Sequence, residues 1–171
     1  MKKKKIMNKK IILNHSEIEH KINRIAYQIF ETFADEDEII VAGISSNGFI
    51  LAKKISTALQ KICMIKITLC EVKIDKLKPF SQISTSISKE YYSYKSIVLI
   101  DDVLNSGTTL IYGVKHFLEV PIKKFKTAVL VDRNHKKFPV KADFKGVSLS
   151  TSSKEHVHVV FEEINNYIYL V

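Results

Sequence analysis

The chain has few of the residues that would settle its class by themselves. It has only two cysteines, Cys63 and Cys70, among 171 residues. Two thiols do not make a disulfide framework, and no second Cys/His cluster gives zinc-ligand spacing. Both are expected to be buried and reduced. With five glycines and three prolines there is no Pro/Gly-rich linker, and no internal repeat. No apolar run approaches the roughly 18 residues of a membrane span, and no apolar segment follows the N-terminal lysines, so a secretory signal is not expected. These absences favour a cytoplasmic chain with no membrane partner. Arginine is scarce too: only Arg24 and Arg133.

What is present is an ordinary globular balance, 46% hydrophobic and 26% charged, in a length that suits one domain with its own core. The net charge of +9 is unevenly placed. Residues 1–10 hold six lysines and no acid. Like charges and no core face predict a basic flexible tail over 1–14, ahead of a single domain over 15–171. A second basic stretch, 113–146, holds nine Lys/Arg against three acids. It could bind phosphate or RNA, or be a solvated lysine surface.

Ser16 followed by Glu19 has the form of a helix capping box. Ile18, Ile22, Ile25, Ala26, Ile29, Phe30 and Phe33 then recur at helical spacing. Residues 39–44 read as a buried strand, 45–48 as a turn and 49–60 as a helix. A strand is expected over 65–74, a long polar loop over 77–94, a buried strand over 96–100, a helix over 108–118 and a third buried strand over 125–131. Shorter segments near 144–149, 157–161 and 167–171 look like a small antiparallel addition. Strands alternating with helices predict an α/β fold, a parallel sheet covered on both faces. In such sheets ligands bind beyond the carboxyl ends of the strands, where the loops after 44, 100 and 131 would meet.

The most informative stretch is VLIDDVLNSGTT, residues 98–109. Asp101 and Asp102 stand side by side where the strand is expected to leave the core. Adjacent carboxylates repel and need compensation. Two vicinal sugar hydroxyls can each donate to one of them, with a divalent cation nearby. The loop Asn105, Ser106, Gly107, Thr108 and Thr109 then opens a helix. Its successive N–H groups and hydroxyls make an anion nest. Carboxylates for a ribose and a nest for a phosphate describe a ribose 5-phosphate. The stretch lacks the Gly-Lys-Ser/Thr of a P-loop.

This stretch resembles the phosphoribosyl-pyrophosphate (PRPP) motif of type I phosphoribosyltransferases. VAGISSNG, residues 41–48, resembles their pyrophosphate-binding loop. AVLVDRNH and PVKAD, within 128–143, resemble the PyrR branch, pyrimidine-operon regulators that are also uracil phosphoribosyltransferases. Residues 146–159, including Ser152, Ser153 and Lys154, resemble its base-binding end. The resemblance implies transfer of ribose 5-phosphate from PRPP to a nucleobase, uracil first, with Mg2+ as cofactor and release of pyrophosphate. It also implies a Rossmann-like sheet with a C-terminal hood, a homo-dimer or tetramer, and RNA as a further partner.

By the same resemblance Asp101 and Asp102 hold the ribose hydroxyls and, directly or indirectly, the magnesium ion. Val103, Leu104 and residues 105–109 form the 5-phosphate loop, and Ser45, Ser46, Asn47 and Gly48 the pyrophosphate loop. Arg133, His156 and Val157 line the base pocket. Three positions depart from the pattern. Asn47 stands where many relatives carry Arg or Lys. Residues 77–94 hold no Arg, although Lys76, Lys78 and Lys89 are at hand, and lysine does not match arginine's geometry. Asn105 stands where hypoxanthine-type enzymes place Asp, which turns the expectation away from purines. A binding protein that has lost turnover is the remaining alternative.

Overall fold

The structure is a computed structural model and describes residues 9–152 and 155–171. Six strands form the main sheet, and it is built around β2 (Glu38–Ile44), β3 (Lys66–Lys73), β5 (Ser96–Leu104), β6 (Lys124–Asp132) and β7 (Phe144–Ser148). These five run parallel, and the two-residue β4 (Ser84–Thr85) adds an antiparallel edge, giving the order β4-β3-β2-β5-β6-β7. The buried strands alternate their side chains between two cores. Ile39, Val41, Val98, Ile100, Ala128 and Leu130 face α1 (His15–Thr32) and α2 (Asn47–Gln60). Ile40, Ala42, Ile97, Leu99 and Val129 face the side of α3 (Lys89–Tyr92) and α4 (Thr108–Phe117). Burial on both faces explains why these strands read as continuous apolar runs.

Several boundaries moved for physical reasons. Helix α1 starts two positions earlier than Ser16 suggested: Asn14 is the cap, its Oδ1 accepts from Glu17 N at 3.0 Å, and Glu17 accepts back from Asn14 N at 2.8 Å. Ser16 and Glu19 have the same three-residue spacing, but the reciprocal pair that forms is Asn14 with Glu17, flanking the first helical turn. Strand β5 continues through both aspartates to Leu104, because the ladder to β6 extends to Leu104 opposite Asp132. The acidic pair therefore belongs to the strand itself and is not a loop feature.

Residues 77–94 are not a featureless loop. They contain β4 and the short helix α3, capped by Ser88. Tyr92 of α3 is fully buried and packs edge-on against Phe117, 5.0 Å between ring centroids. Tyr91 gives its hydroxyl to Glu38, and Tyr94 is exposed. The C-terminal segments also divide differently from a single antiparallel addition. β7 joins the main sheet in parallel with β6, whereas β8 (Val157–Val160) and β9 (Tyr167–Leu170) form the antiparallel hood.

The hood's third strand is β1 (Lys10–Leu13), paired with β9. It lies inside the stretch expected to be basic tail. The lysines mask an apolar run, Ile11 to Leu13, and Leu13 is buried. The first eight residues, and Ser153 and Lys154 of the stretch expected to bind the base, lie outside the described residues. Cys70 is buried and Cys63 half-buried, and both are free. Among the described residues no helix is long and apolar enough to cross a membrane.

Candidate active site

The carboxyl ends of β2, β5 and β6 deliver three loops to one edge of the sheet. Asp101 and Asp102 sit on β5, with Asp101 only 3% exposed. The Asp101 carboxyl is pushed up to about 7, first by burial and then by the neighbouring Asp102 charge. A carboxylate taken from water and set beside a like charge favours its neutral form. One cation opposes this. The Lys76 ammonium lies 3.2 Å from Asp101 Oδ1 and 3.6 Å from Asp102 Oδ1. Lys76 figured in the sequence only as a loop cation; its place at the acidic pair follows from the fold, since β3 and β5 flank β2.

The loop after β2 packs directly on this pair. Asn47 donates from Nδ2 to Asp102 Oδ2 and to the Val159 carbonyl of β8, both at 3.0 Å. It thereby ties the 45–48 loop, the acidic pair and the hood together. Ser45 gives its hydroxyl to Glu71 Oε1 at 3.0 Å, so an acid borders the loop. The Ser45–Ser46 peptide is cis. Gly48 is required here by contact: a Cβ would lie 2.9 Å from the Ile100 carbonyl oxygen and 3.0 Å from Asp101 Cα. Only a residue without a side chain lets α2 start against the acidic strand.

After Leu104 the chain turns through Asn105 and Ser106 into α4. Gly107 takes a left-handed conformation (φ 82°) at the helix N-cap and brings no side chain of its own to cap the helix. The Thr108 amide donates to Ser106 Oγ at 3.3 Å, and the following first-turn amides have no intrahelical partner, the kind of helix start that can receive an anion. The Ser106 and Thr108 hydroxyls are 2.8 Å apart, and the Ser106 carbonyl is held by Lys137 N and Phe138 N. A small cavity of about 40 Å³ is lined by residues of this loop together with Asp101.

A larger cavity of about 290 Å³ adjoins the loop, lined by Asn105, Ser106, Arg133, His135, Lys137 and His156. The fold thus gathers Asn105, Arg133 and His156 around one space, while Val157, the next residue of β8, is half-buried and not among its lining. The Arg133 guanidinium is largely occupied in holding Thr151, Ser152 and Glu155. Its Nε donates to Thr151 Oγ1 at 3.1 Å, and its Nη2 donates to the carbonyls of Ser152 at 3.3 Å and Glu155 at 2.6 Å. It shapes the cavity wall more than it reaches into it.

Comparison with known proteins bears directly on this arrangement. Residues 8–163 match the phosphoribosyl transferase domain. The chain belongs to the phosphoribosyltransferase family. Within it the likeness is to PyrR proteins. The bifunctional protein PyrR of Fusobacterium nucleatum is 33% identical, over 91% of this chain and 93% of its own length. That of Staphylococcus saprophyticus is 30% identical, over 93% and 95%. This phosphoribosyltransferase is thus of the PyrR branch. Among solved structures, the hypoxanthine phosphoribosyltransferase of Trypanosoma cruzi superposes with a TM-score of 0.74 at 14% identity, covering 93% of this chain and 95% of that one. At that identity the likeness speaks for the fold: the mostly parallel sheet and its hood.

Proposed function

We propose that the protein transfers ribose 5-phosphate from PRPP to a pyrimidine base, uracil being the first candidate, giving the nucleoside 5-monophosphate and pyrophosphate. One observation carries this reading. The acidic pair and a helix N-terminus entered through Gly107 lie on a single strand–loop–helix unit, beside a cavity walled by Asn105, Arg133 and His156. Asp101 and Asp102 accept from the ribose 2- and 3-hydroxyls, and residues 105–109 hold the 5-phosphate. Loop 45–48 holds the pyrophosphate. A base nitrogen bonds to C1 of the ribose as the C1–O bond to pyrophosphate breaks, and the base gives up its proton. The protein's contribution is to place the two reactants and to accept the departing charge.

The residues fit a magnesium ion of the kind that needs substrate oxygens. Among the described residues no group of three or more His, Cys, Asp or Glu could cage a metal. Two adjacent carboxylates supply hard oxygen ligands, and magnesium is commonly held by one or two carboxylates plus substrate phosphates. Bound there, it would neutralise charge on the leaving pyrophosphate. Pyrophosphate release from PRPP with a panel of bases and magnesium tests the reading. Turnover with uracil above all other bases is expected; PRPP binding without turnover on any base would refute it.

A second reading, a nucleotide-responsive RNA-binding regulator, draws on the basic 113–146 stretch and on the likeness to PyrR. In that stretch Lys123, Lys124, Lys126, Lys136 and Lys145 are paired with acids, leaving a sparser basic surface around Lys115, Lys137 and Lys141. RNA affinity falling steeply with salt and responding to UMP would support it.

A PRPP-binding protein with reduced turnover is favoured by the pyrophosphate loop, which has no cationic side chain and borders Glu71. The variant Asn47→Arg restores a positive charge there. It is expected to tighten PRPP binding about tenfold, the value of one charge-assisted contact. Loss of the Asn47 tether to Val159 would loosen the hood, visible as faster amide exchange in β8. Calorimetry on the variant and wild type reads the first effect; unchanged or weaker PRPP binding would mean that the loop does not face pyrophosphate.

A further inference from the structure

We propose that Lys76 is a tethered counter-cation of the acidic pair, which a divalent ion must displace before it can engage Asp101 and Asp102. The inference rests on the site assigned above but concerns a residue with no role there. Both carboxylates lie within 3.6 Å of the Lys76 ammonium. Among the described residues no other cationic side chain pairs with either.

The geometry is built rather than incidental. β3 ends at Lys73, and Ile74 anchors the next step of chain in the core. Asp75 then closes an Asx turn: its Oδ1 accepts from Leu77 N at 2.8 Å and from Lys78 N at 3.2 Å. This local bonding competes with strand continuation and fixes the direction of the intervening residue. Lys76 is therefore aimed back across the sheet edge while Leu77 and Lys78 point out to solvent, where both are exposed.

Two carboxylates with no compensation would repel and splay. The ammonium lets the pair keep one arrangement in the free protein, with Asn47 holding the opposite oxygen of Asp102. Its side chain is 44% exposed, so it can swing into solvent without opening the core. A flexible four-carbon stem suits that exchange, and the displaced charge stays near the pyrophosphate loop, which carries no cation of its own. A divalent ion and Lys76 thus compete for the same oxygens. At about 3–4 Å a unit charge near a protein surface acts on each carboxylate strongly enough to change ion affinity about tenfold.

Manganese binding to the free protein, without PRPP or base, is the test, read by calorimetry and by the electron-spin signal of unbound Mn2+. Lys76→Met removes the charge and keeps the apolar stem; it is expected to bind Mn2+ about tenfold more tightly than wild type. Lys76→Arg should stay within about threefold of wild type, since the charge is kept. Should Lys76→Met fold poorly, Lys76→Gln serves with the same expectation. Equal Mn2+ affinity in wild type and the neutral variants, including no detectable binding in any, overturns the proposal. A parallel PRPP titration separates the two readings. PRPP that never binds, together with Mn2+ affinity that rises in the neutral variants, would sink the proposed function and leave the counter-cation standing. PRPP that binds with Mn2+ affinities all equal would do the reverse.

Discussion

Replacing Asp101 with Asn is expected to raise the heat stability of the free protein above pH 7 while removing its grip on ribose. The folded carboxyl ionises near 7, against an ordinary 3.8, because burial and Asp102 both penalise the charge. Below about pH 4 it is protonated whether the chain is folded or not, and the residue costs nothing. As pH rises from 4 to 7 the unfolded chain loses this proton first. The folded state then holds more protons, so stability falls with pH and the full cost is felt above 7. The gap between about 7 and 3.8 caps that cost at roughly 4 kcal/mol.

Asn keeps the shape and an acceptor for Lys76 but has no charge to bury. A gain of about 2 kcal/mol at pH 8, or about 4–8 °C in Tm, is expected, shrinking to nothing near pH 4. Thermal unfolding at pH 4, 6 and 8 checks it. A variant less stable than wild type at pH 8 would show that the carboxylate is satisfied rather than strained. PRPP calorimetry on the same protein should show affinity lower by about 10–100-fold, the loss of a charge-assisted bond to a ribose hydroxyl. Asp102→Asn should weaken PRPP similarly. On the proposed function the two effects of Asp101→Asn have one origin: the carboxylate is held in a costly state that a bound ribose or cation would relieve.

Much of this site was legible in the sequence because its parts are local. The acidic pair, the Gly107 turn and the helix that follows lie within a dozen residues, and each follows from residue type alone. The parallel sheet could be read for a related reason, since strands buried on both faces leave unbroken apolar runs. What could not be read depends on how distant strands lie beside one another. Lys76 meets Asp101 because β3 and β5 both flank β2, an order that no spacing along the chain reveals. Asn47 looked like a missing charge, yet its partners, Asp102 and the Val159 carbonyl, make it a tether. Arg133 was expected to line the base pocket, yet its guanidinium is occupied by the carbonyls of Ser152 and Glu155. Strand β1 was hidden by composition: six lysines in ten residues outweighed three apolar residues that complete the hood.

Gly107→Ala is expected to damage the loop proposed to hold the 5-phosphate more than any other single methyl group added to it. Two separate costs apply. A left-handed φ of 82° disfavours any L side chain, by about 1–2 kcal/mol for alanine. The new Cβ would also lie 2.5 Å from Val140 Cγ1, well inside contact distance. Either the loop shifts or Val140 does. Lys137 N and Phe138 N hold the Ser106 carbonyl, so the 137–140 segment is fastened to the same loop, and a shift of one moves the other. The amides at the start of α4 would then leave the position they need for a phosphate, and a displacement of even 1 Å is costly for a preorganised site. PRPP and UMP should both bind at least about tenfold more weakly, with folding stability lower by about 2 kcal/mol.

Two companion variants separate the causes. Gly107→Asn meets the same Val140 contact but tolerates the left-handed conformation better. Gly107→Ala with Val140→Ala relieves the contact and keeps the φ penalty. Recovery of PRPP binding in the double variant, and not in Gly107→Asn, assigns the loss to the clash. Recovery in Gly107→Asn alone assigns it to the backbone. Unchanged PRPP and UMP affinity in Gly107→Ala itself would mean that the helix N-terminus at 107–109 does not hold the phosphate, and the ribose 5-phosphate reading of the whole strand–loop–helix unit would fall with it.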